Sequence, residues 1–214
     1  MKKVNHLEEL VERYPELATV ISEIQKAADC LVNCFTNGGK VLICGNGGSC
    51  SDTDHIVGEL MKGFNLKRGI NEEFKESLIK TDGARGKFLS EKIQQGLPAI
   101  SLAAHTSLIS AVLNDIDPDI IFAQQVAGYG NPGDVLLGIS TSGNAENVID
   151  AAITAKAKGM KVIGLTGETG GKMKNYCDVI VNVPGSTTYL VQELHLPVYH
   201  TICLMVEESI FGNF

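Results

Sequence analysis

No run of basic residues in this chain is longer than Lys67-Arg68, and the formal net charge at pH 7 is −7. Non-specific binding to nucleic acid or to an anionic membrane needs concentrated lysine and arginine, so neither partner is expected. No apolar stretch approaches the roughly 18 residues that a membrane span requires. The opening Met1-Lys2-Lys3-Val4-Asn5-His6 has no apolar segment behind its lysines, so no secretory leader is expected and the protein is placed in the cytoplasm. The six cysteines (Cys30, Cys34, Cys44, Cys50, Cys177, Cys203) include no C-x-x-C pair and lie scattered through apolar segments. That pattern reads as reduced, mostly buried thiols. The two glycine- and serine-rich loops, at 45–49 and 140–144, lack the nucleotide fingerprints: neither has the G-x-G-x-x-G spacing and no G-x-x-x-x-G-K-[ST] occurs, so ATP and NAD are poor ligands to expect and no nucleotide cofactor is assigned.

What is present is an ordinary soluble composition, 44% apolar and 20% charged, in 214 residues. That length suits one domain with an appendage and can bury a sizeable core.

Two loops carry most of the information. The apolar run Val135-Leu136-Leu137-Gly138-Ile139 empties into Ser140-Thr141-Ser142-Gly143-Asn144, and a helical pattern follows. Hydroxyl and backbone N–H donors converge there on the positive end of a helix dipole, which makes an anion cradle. An earlier copy of the design runs from Lys40-Val41-Leu42-Ile43-Cys44 into Gly45-Asn46-Gly47-Gly48-Ser49. Either loop alone could be an ordinary connection rich in turn formers. The pair points to a small phosphorylated ligand, such as a sugar phosphate.

Strands are expected at Lys40–Cys44, Ala99–Ala103, Val135–Ile139, Lys161–Leu165 and Val179–Val183, all short, apolar and rich in β-branched residues. Helical periods lie between most of them, at Asp52–Met61, Thr106–Asn114, Asp119–Ala127 and Ala145–Lys158, and a last helix spans about Thr187 to Ile210. Alternating β and α units imply a three-layer α/β/α sandwich around a parallel sheet, with right-handed crossovers. Ligands in such sheets bind beyond the carboxyl ends of the strands, where both loops sit.

An N-terminal helical segment, residues 1–37, precedes the sheet. Leu17, Val20, Ile21, Ile24, Ala28, Leu31 and Phe35 form its apolar stripe, Pro15 divides it, and Asn37-Gly38-Gly39 ends it. The stripe could pack on a second copy or on its own sheet. Residues 65–96 interrupt the pattern with a polar excursion, read as one or two short helices (Glu72–Ile79, Phe88–Gln95) around a flexible centre at Asp82-Gly83-Ala84-Arg85-Gly86. Its flanks suit a lid and its tip a surface decoration.

His55 and Glu59 stand one turn apart on one helix face, a spacing that suits a metal or a proton transfer and equally a solvated face. On the last helix, Gln192 and His200 lie two turns apart, about 12 Å along the axis. They could serve one centre if Pro197 kinks the helix, or if they come from different copies of the chain. His195 lies on another stripe and reads as packing or support. Cys50 reads as a small loop residue or a reactive thiol.

Several motifs together make the chain resemble the sugar isomerase (SIS) domain family and, within it, the phosphoheptose isomerases. They are Cys44-Gly45-Asn46-Gly47-Gly48-Ser49, the His55 and Glu59-Leu60 pair, Asn114-Asp115, the stretch Gly133 to Asn144, Leu165-Thr166-Gly167, and Gln192-Glu193 with His195 and His200. The resemblance runs from the first helix to the last, the excursion excepted. It implies a five-stranded parallel sheet between helices, a homotetramer with active sites between subunits, and interconversion of sedoheptulose 7-phosphate with D-glycero-D-manno-heptose 7-phosphate. Carried over by motif, Ser49, Ser140, Thr141 and Ser142 would bind the phosphate, and Asn46, Gly47 and Gly48 would line the sugar, with Asn114, Asp115 and Gln192 as further substrate positions. Glu59 would be the base and His200 the acid. Zinc is implied through His55, Glu59, Gln192 and His200, as in some members; Glu59 cannot be a tight ligand and a free base at once.

Departures cluster around the substrate rather than the reacting carbons. Where the family commonly has an arginine shortly after the glutamate, this chain has Lys62-Gly63-Phe64; Ala145 replaces a serine and Tyr189 an aspartate. They leave open a different phosphorylated ketose. The alternative from another class is a non-catalytic SIS module that binds a sugar phosphate as a signal or serves as an interaction protein. Such relatives lose the base and the last histidine, both of which are present here.

Overall fold

The structure, a computed structural model, describes residues 5–212. Residues 1–4, on which the absence of a leader was read, lie outside the described residues. Five parallel strands form one sheet: β1 (Val41–Gly45), β2 (Ala99–Ser101), β3 (Val135–Ser140), β4 (Lys161–Thr166) and β5 (Val179–Asn182), in the order β2-β1-β3-β4-β5. Each falls within two residues of its expected bounds. Short β-branched runs suit a sheet covered on both faces, and β1 and β3 are buried along their whole length.

Period-two alternation divides β3 between two cores. Val135, Leu137 and Ile139 face a layer built from α1 (His6–Arg13), α2 (Ile21–Thr36), α3 (Gly48–Met61) and α9 (Thr188–Phe211). Leu136 faces the opposite layer with α7 (Ile121–Tyr129) and α8 (Glu146–Ala157). The apolar stripe of α2 is therefore spent on its own sheet: Ala27 and Leu31 pack beside Ile163, Leu165 and Val181. Pro15 opens a 3-10 turn, Pro15–Val20, between α1 and α2.

At the amino ends of β1 and β3, Asp134 staples the strands. Its buried carboxylate accepts from Lys40 N (2.9 Å), Lys40 Nζ (2.6 Å) and Asn131 N (2.8 Å). At the carboxyl ends, strand order reverses between β1 and β3. Their outgoing helices, α3 and α8, depart to opposite faces and leave a crevice between the two loops, the position at which ligands enter such sheets.

The excursion corrects one expectation. Its centre is helical rather than flexible: α4 (Glu72–Thr81) and α5 (Gly83–Lys92) form a tight hairpin with Asp82 as the N-cap of α5, accepting from Arg85 N at 2.8 Å. Gly86 permits the close crossing, because a Cβ there would strike the carbonyl of Leu78. A glycine that reads as freedom in sequence is here a contact surface. Between β2 and α7, α6 (Thr106–Asp115) runs along the sheet edge. Among the described residues no helix is long and apolar enough to cross a membrane.

Candidate active site

The glycine loop begins the site. Gly47 takes a positive φ of 56°, open to a residue without Cβ, and α3 starts immediately at Gly48, four residues earlier than the apolar period suggests. Ser49 is thus on the first turn of α3, buried under Gly45, with the free N–H groups of the helix start around it. A Cβ on Gly48 would come within 2.5 Å of Gln192 Nε2, so the glycine is the seat of the Gln192 side chain. Asn46 exchanges two hydrogen bonds with Asn147 (2.9 and 3.0 Å), which lace the glycine loop to the first turn of α8. Sequence reading passed over Asn147, although it stands three residues after Asn144 in the same loop-to-helix signature.

Ser140 ends β3, buried, and Gly143 turns the chain with a positive φ of 65°, its N–H donating to Ser140 O at 3.0 Å. Ser142 Oγ accepts from Asn144 N at 3.1 Å, and Asn144 Oδ1 accepts from Lys172 N at 3.0 Å. The loop is thereby held on three sides while Thr141 and Ser142 stay accessible. Ser140, Thr141 and Ser142 face Gly47–Ser49 across the crevice, two helix starts converging as an anion site requires.

The chemistry lies further along α3, where α9 runs beside it in the same direction: Gln192 meets Gly48, Tyr199 meets Asp52 and His55, and Glu207 meets Phe64. His55 Nε2 lies 3.3 Å from Glu59 Oε1 and 3.4 Å from His200 Nε2. The Glu59 side chain is 13% exposed, and Lys62 Nζ sits 3.1 Å from its other oxygen, so a cation accompanies this carboxylate. Burial, with His55 and Arg13 adding to it against Glu59, lowers the pKa of His200, which keeps the imidazole neutral at neutral pH. A cavity of about 180 Å³, walled by Arg13, Phe64, Pro197 and His200 among others, opens beside it. α9 passes through Pro197 as one continuous helix of 24 residues; Thr201 Oγ1 donates to the Pro197 carbonyl at 2.8 Å.

Underneath, one buried ion pair fixes this geometry. Arg68 donates from Nε to Glu207 Oε1 (2.7 Å), from Nη1 to Leu60 O (2.7 Å) and from Nη2 to Glu59 O (3.2 Å). Glu207 also accepts from the N–H groups of Phe64 (2.8 Å), Asn65 (2.7 Å) and Leu66 (3.0 Å). Arg68 caps the carboxyl end of α3, where a cation is favoured and carbonyls lack partners. The turn that bears Glu59, the Phe64 ring packed on His200 at 5.5 Å, and α9 are locked together.

Not every expected residue is gathered here. Asn114 and Asp115 lie exposed at the end of α6, bonded to each other at 2.8 Å. Gln192 is at the loop end of α9, two turns from His200. Burial raises the Cys50 thiol, with Asp54 adding to it, which speaks against a reactive thiolate. His195 is fully buried and faces Thr166; burial drives its pKa down to about 4 against a smaller opposing effect of the Thr166 backbone, and among the described residues neither ring nitrogen completes a well-formed hydrogen bond.

For a metal, the separations of 3.3 and 3.4 Å around His55 Nε2 match the edge, about 3.3 to 3.4 Å, of a tetrahedral zinc site with bonds of about 2.0 to 2.1 Å. The donor types fit zinc as well. Among the described residues, though, no three His, Cys, Asp or Glu side chains are disposed around one point as they stand.

Comparison with known proteins places the chain in a family. The SIS domain family matches residues 5–92 and 84–167. A phosphoheptose isomerase of Burkholderia pseudomallei is 39% identical over 194 residues, covering 91% of this chain and 85% of that protein. Among solved structures, the phosphoheptose isomerase of Neisseria gonorrhoeae superposes with a TM-score of 0.74 at 33% identity, covering 95% of each chain. That of Francisella tularensis gives 0.75 at 33% identity, covering 94% of each. The crevice of two anion loops and the His55–Glu59–His200 group thus lie in a chain that belongs to the SIS domain family, in its phosphoheptose isomerase branch.

Proposed function

We propose that this protein interconverts a phosphorylated ketose and aldose through an enediol, with sedoheptulose 7-phosphate and D-glycero-D-manno-heptose 7-phosphate as the pair. The observation that carries the reading is the convergence of Glu59 and His200 on His55 beside an open cavity, on the helix whose first turn belongs to the anion crevice. Moving a carbonyl between neighbouring carbons needs a base, an acid and stabilisation of the enediolate. The Glu59 carboxylate takes the proton from the carbon beside the carbonyl and returns it to the adjacent carbon. His200, neutral and carrying a proton on one ring nitrogen, donates to the developing oxyanion, as a neutral imidazole can when burial holds its pKa down. The serine and glycine loops hold the phosphate, so binding energy at one end orients the reacting end.

His55 and His200 would hold zinc, with Gln192 reaching it from another copy of the chain; Glu59, the fourth position the resemblance implies, would serve either as a ligand or as the free base, not as both at once. When bound, zinc would supply Lewis-acid polarisation of the sugar oxygens.

The same reading includes a cytoplasmic homotetramer with shared sites. Ser49 and Glu59 are ten residues apart on α3, about 15 Å along its axis. A seven-carbon sugar phosphate spans roughly 10 Å at carbon–carbon bonds of about 1.5 Å. A loop from a second copy would close that difference. Met61, Tyr189, Leu190 and Leu196, exposed around the α3–α9 seam, give such a copy an apolar surface to cover.

Proton exchange tests the reaction. In deuterated buffer with sedoheptulose 7-phosphate, NMR should show deuterium entering at the carbon next to the carbonyl together with aldose product. Binding without exchange, for this sugar and a panel of ketose phosphates, would replace the enzyme with a sugar-phosphate sensor.

A further inference from the structure

Behind His55 stands a second pair that no part of the reaction uses directly. The Tyr199 ring is buried, 2% exposed, and its hydroxyl lies 3.2 Å from Asp52 Oδ1 and 3.0 Å from His55 Nδ1. The His55 and Tyr199 rings meet edge-on, 5.5 Å between centroids, which aims Nδ1 at the hydroxyl rather than at the ring face. On the other side, His55 Nε2 looks at Glu59 and His200.

We infer that Asp52 and Tyr199 are positioning residues that commit His55 Nδ1 as a proton donor, so that Nε2 is left to face Glu59 and His200. The inference rests on the isomerase reading for its kinetic consequence, though not for its geometry.

The argument is a count of protons. A tyrosine hydroxyl has one proton to give and lone pairs to accept with; a carboxylate can only accept. Between Asp52 and His55, the hydroxyl therefore donates to Asp52, and its oxygen accepts a hydrogen bond from His55 Nδ1–H. Which ring nitrogen of a histidine carries the proton follows from the bond the other one makes. With Nδ1 committed, Nε2 is the ring nitrogen left free to face Glu59 and His200. It points where a proton or a cation shared with Glu59 and His200 would sit. The logic is that of a buried aspartate orienting a catalytic histidine, with a tyrosine interposed. Tyr199 adjoins His200 on α9 and Asp52 lies one turn before His55 on α3, so the relay also ties the two helices at the level of the chemistry.

The test uses the full-length protein labelled with nitrogen-15 in its five histidines, at a pH where His55 is neutral and without substrate. Wild type should show the Nδ1–H form of His55, assigned by its loss in His55→Gln. Asp52→Asn, which offers an amide donor where the carboxylate accepted, should reverse the chain and give the Nε2–H form. Tyr199→Phe, which keeps the buried ring, should release His55 to the Nε2–H form favoured by a free imidazole. Both variants should lower kcat by about 10- to 100-fold and leave KM for sedoheptulose 7-phosphate within about twofold. A bare Nδ1 in wild type, or nitrogen signals unmoved in both variants, would overturn the relay. A tautomer that flips while kcat holds would remove its positioning role. Wild type inert toward every ketose phosphate but showing Nδ1–H would refute the isomerase reading and leave the relay standing.

Discussion

Arg68 Nε and Glu207 Oε1 meet at 2.7 Å with side chains 0% and 1% exposed, an ion pair sealed from water between residues 139 positions apart. Its worth lies in the bonds that surround it. Two carbonyls at the end of α3 and three amides of the 64–66 turn bond to it, so the pair serves five backbone groups as well as itself; Leu60 O also accepts from Leu97 N at 2.9 Å. Removing one member leaves a buried charge alone. Arg68→Met and Glu207→Leu should each lower stability by about 3 to 5 kcal/mol, measured by urea denaturation. Arg68→Lys should recover little of it, because an ammonium cannot direct three bonds in the guanidinium plane.

Acid stability should carry two signatures. Burial alone would raise the Glu207 pKa, but the three amides and Arg68 outweigh it and the net shift is downward. Its contribution is therefore present above the ordinary carboxylate range, near 4.3, and lost as pH falls through the lower folded value. His195 acts earlier. Its folded pKa is pushed down to about 4 by burial. An unfolded chain takes up the proton near 6.5, so stability should fall between pH 6.5 and 4, by roughly 3 kcal/mol. His195→Leu should flatten that slope without loss at pH 7, since it replaces two unpaired buried nitrogens with carbon. Urea midpoints across pH 4 to 8 decide the matter; a slope that survives the substitution belongs to another group.

Glu59→Gln should abolish deuterium exchange at the sugar carbon, by at least about 100-fold in kcat, while circular dichroism and the urea midpoint stay near wild type. The side chain bonds only to His55 and Lys62 at the edge of the site, so its loss leaves the core untouched. Turnover that persists would remove it from proton transfer.

Ser140→Ala with Ser142→Ala should raise KM for phosphorylated sugars by about 10- to 100-fold per lost bond to the anion, with kcat less affected. Inorganic phosphate, titrated as a competitor, should weaken in parallel. If neither changes, the serine loop does not hold the phosphate.

The strands were legible because burial on both faces leaves a local record: Val135 to Ile139 and Val162 to Leu165 are apolar or glycine at every position. Helix boundaries were less so. α3 begins at Gly48 rather than Asp52, since its first turn faces the crevice and carries no apolar period. The Gly83–Gly86 centre looks flexible by composition, yet it becomes the contact between α4 and α5 once Leu78 is opposite. Pro197 gives no break in α9, which continues through it from Thr188 to Phe211: the proline forgoes one amide donor, that to the carbonyl four residues earlier, and the remaining helical bonds and the buried packing of Val198, Tyr199 and Ile202 hold the helix.

Composition, period and motif spacing by themselves determined the parallel α/β order, the two glycine- and serine-rich loops at the strand ends and the placing of His55 and Glu59 one turn apart, because each depends on neighbours within a few residues. Only the tertiary structure decided that α9 lies along α3, that His200 therefore meets His55, and that Gln192 instead belongs to Gly48. It alone brought Arg68 to Glu207 and Asp52 to Tyr199. Those pairs join residues more than a hundred positions apart, and a side chain's partner at that distance is set by how helices pack on a sheet, which no local pattern records.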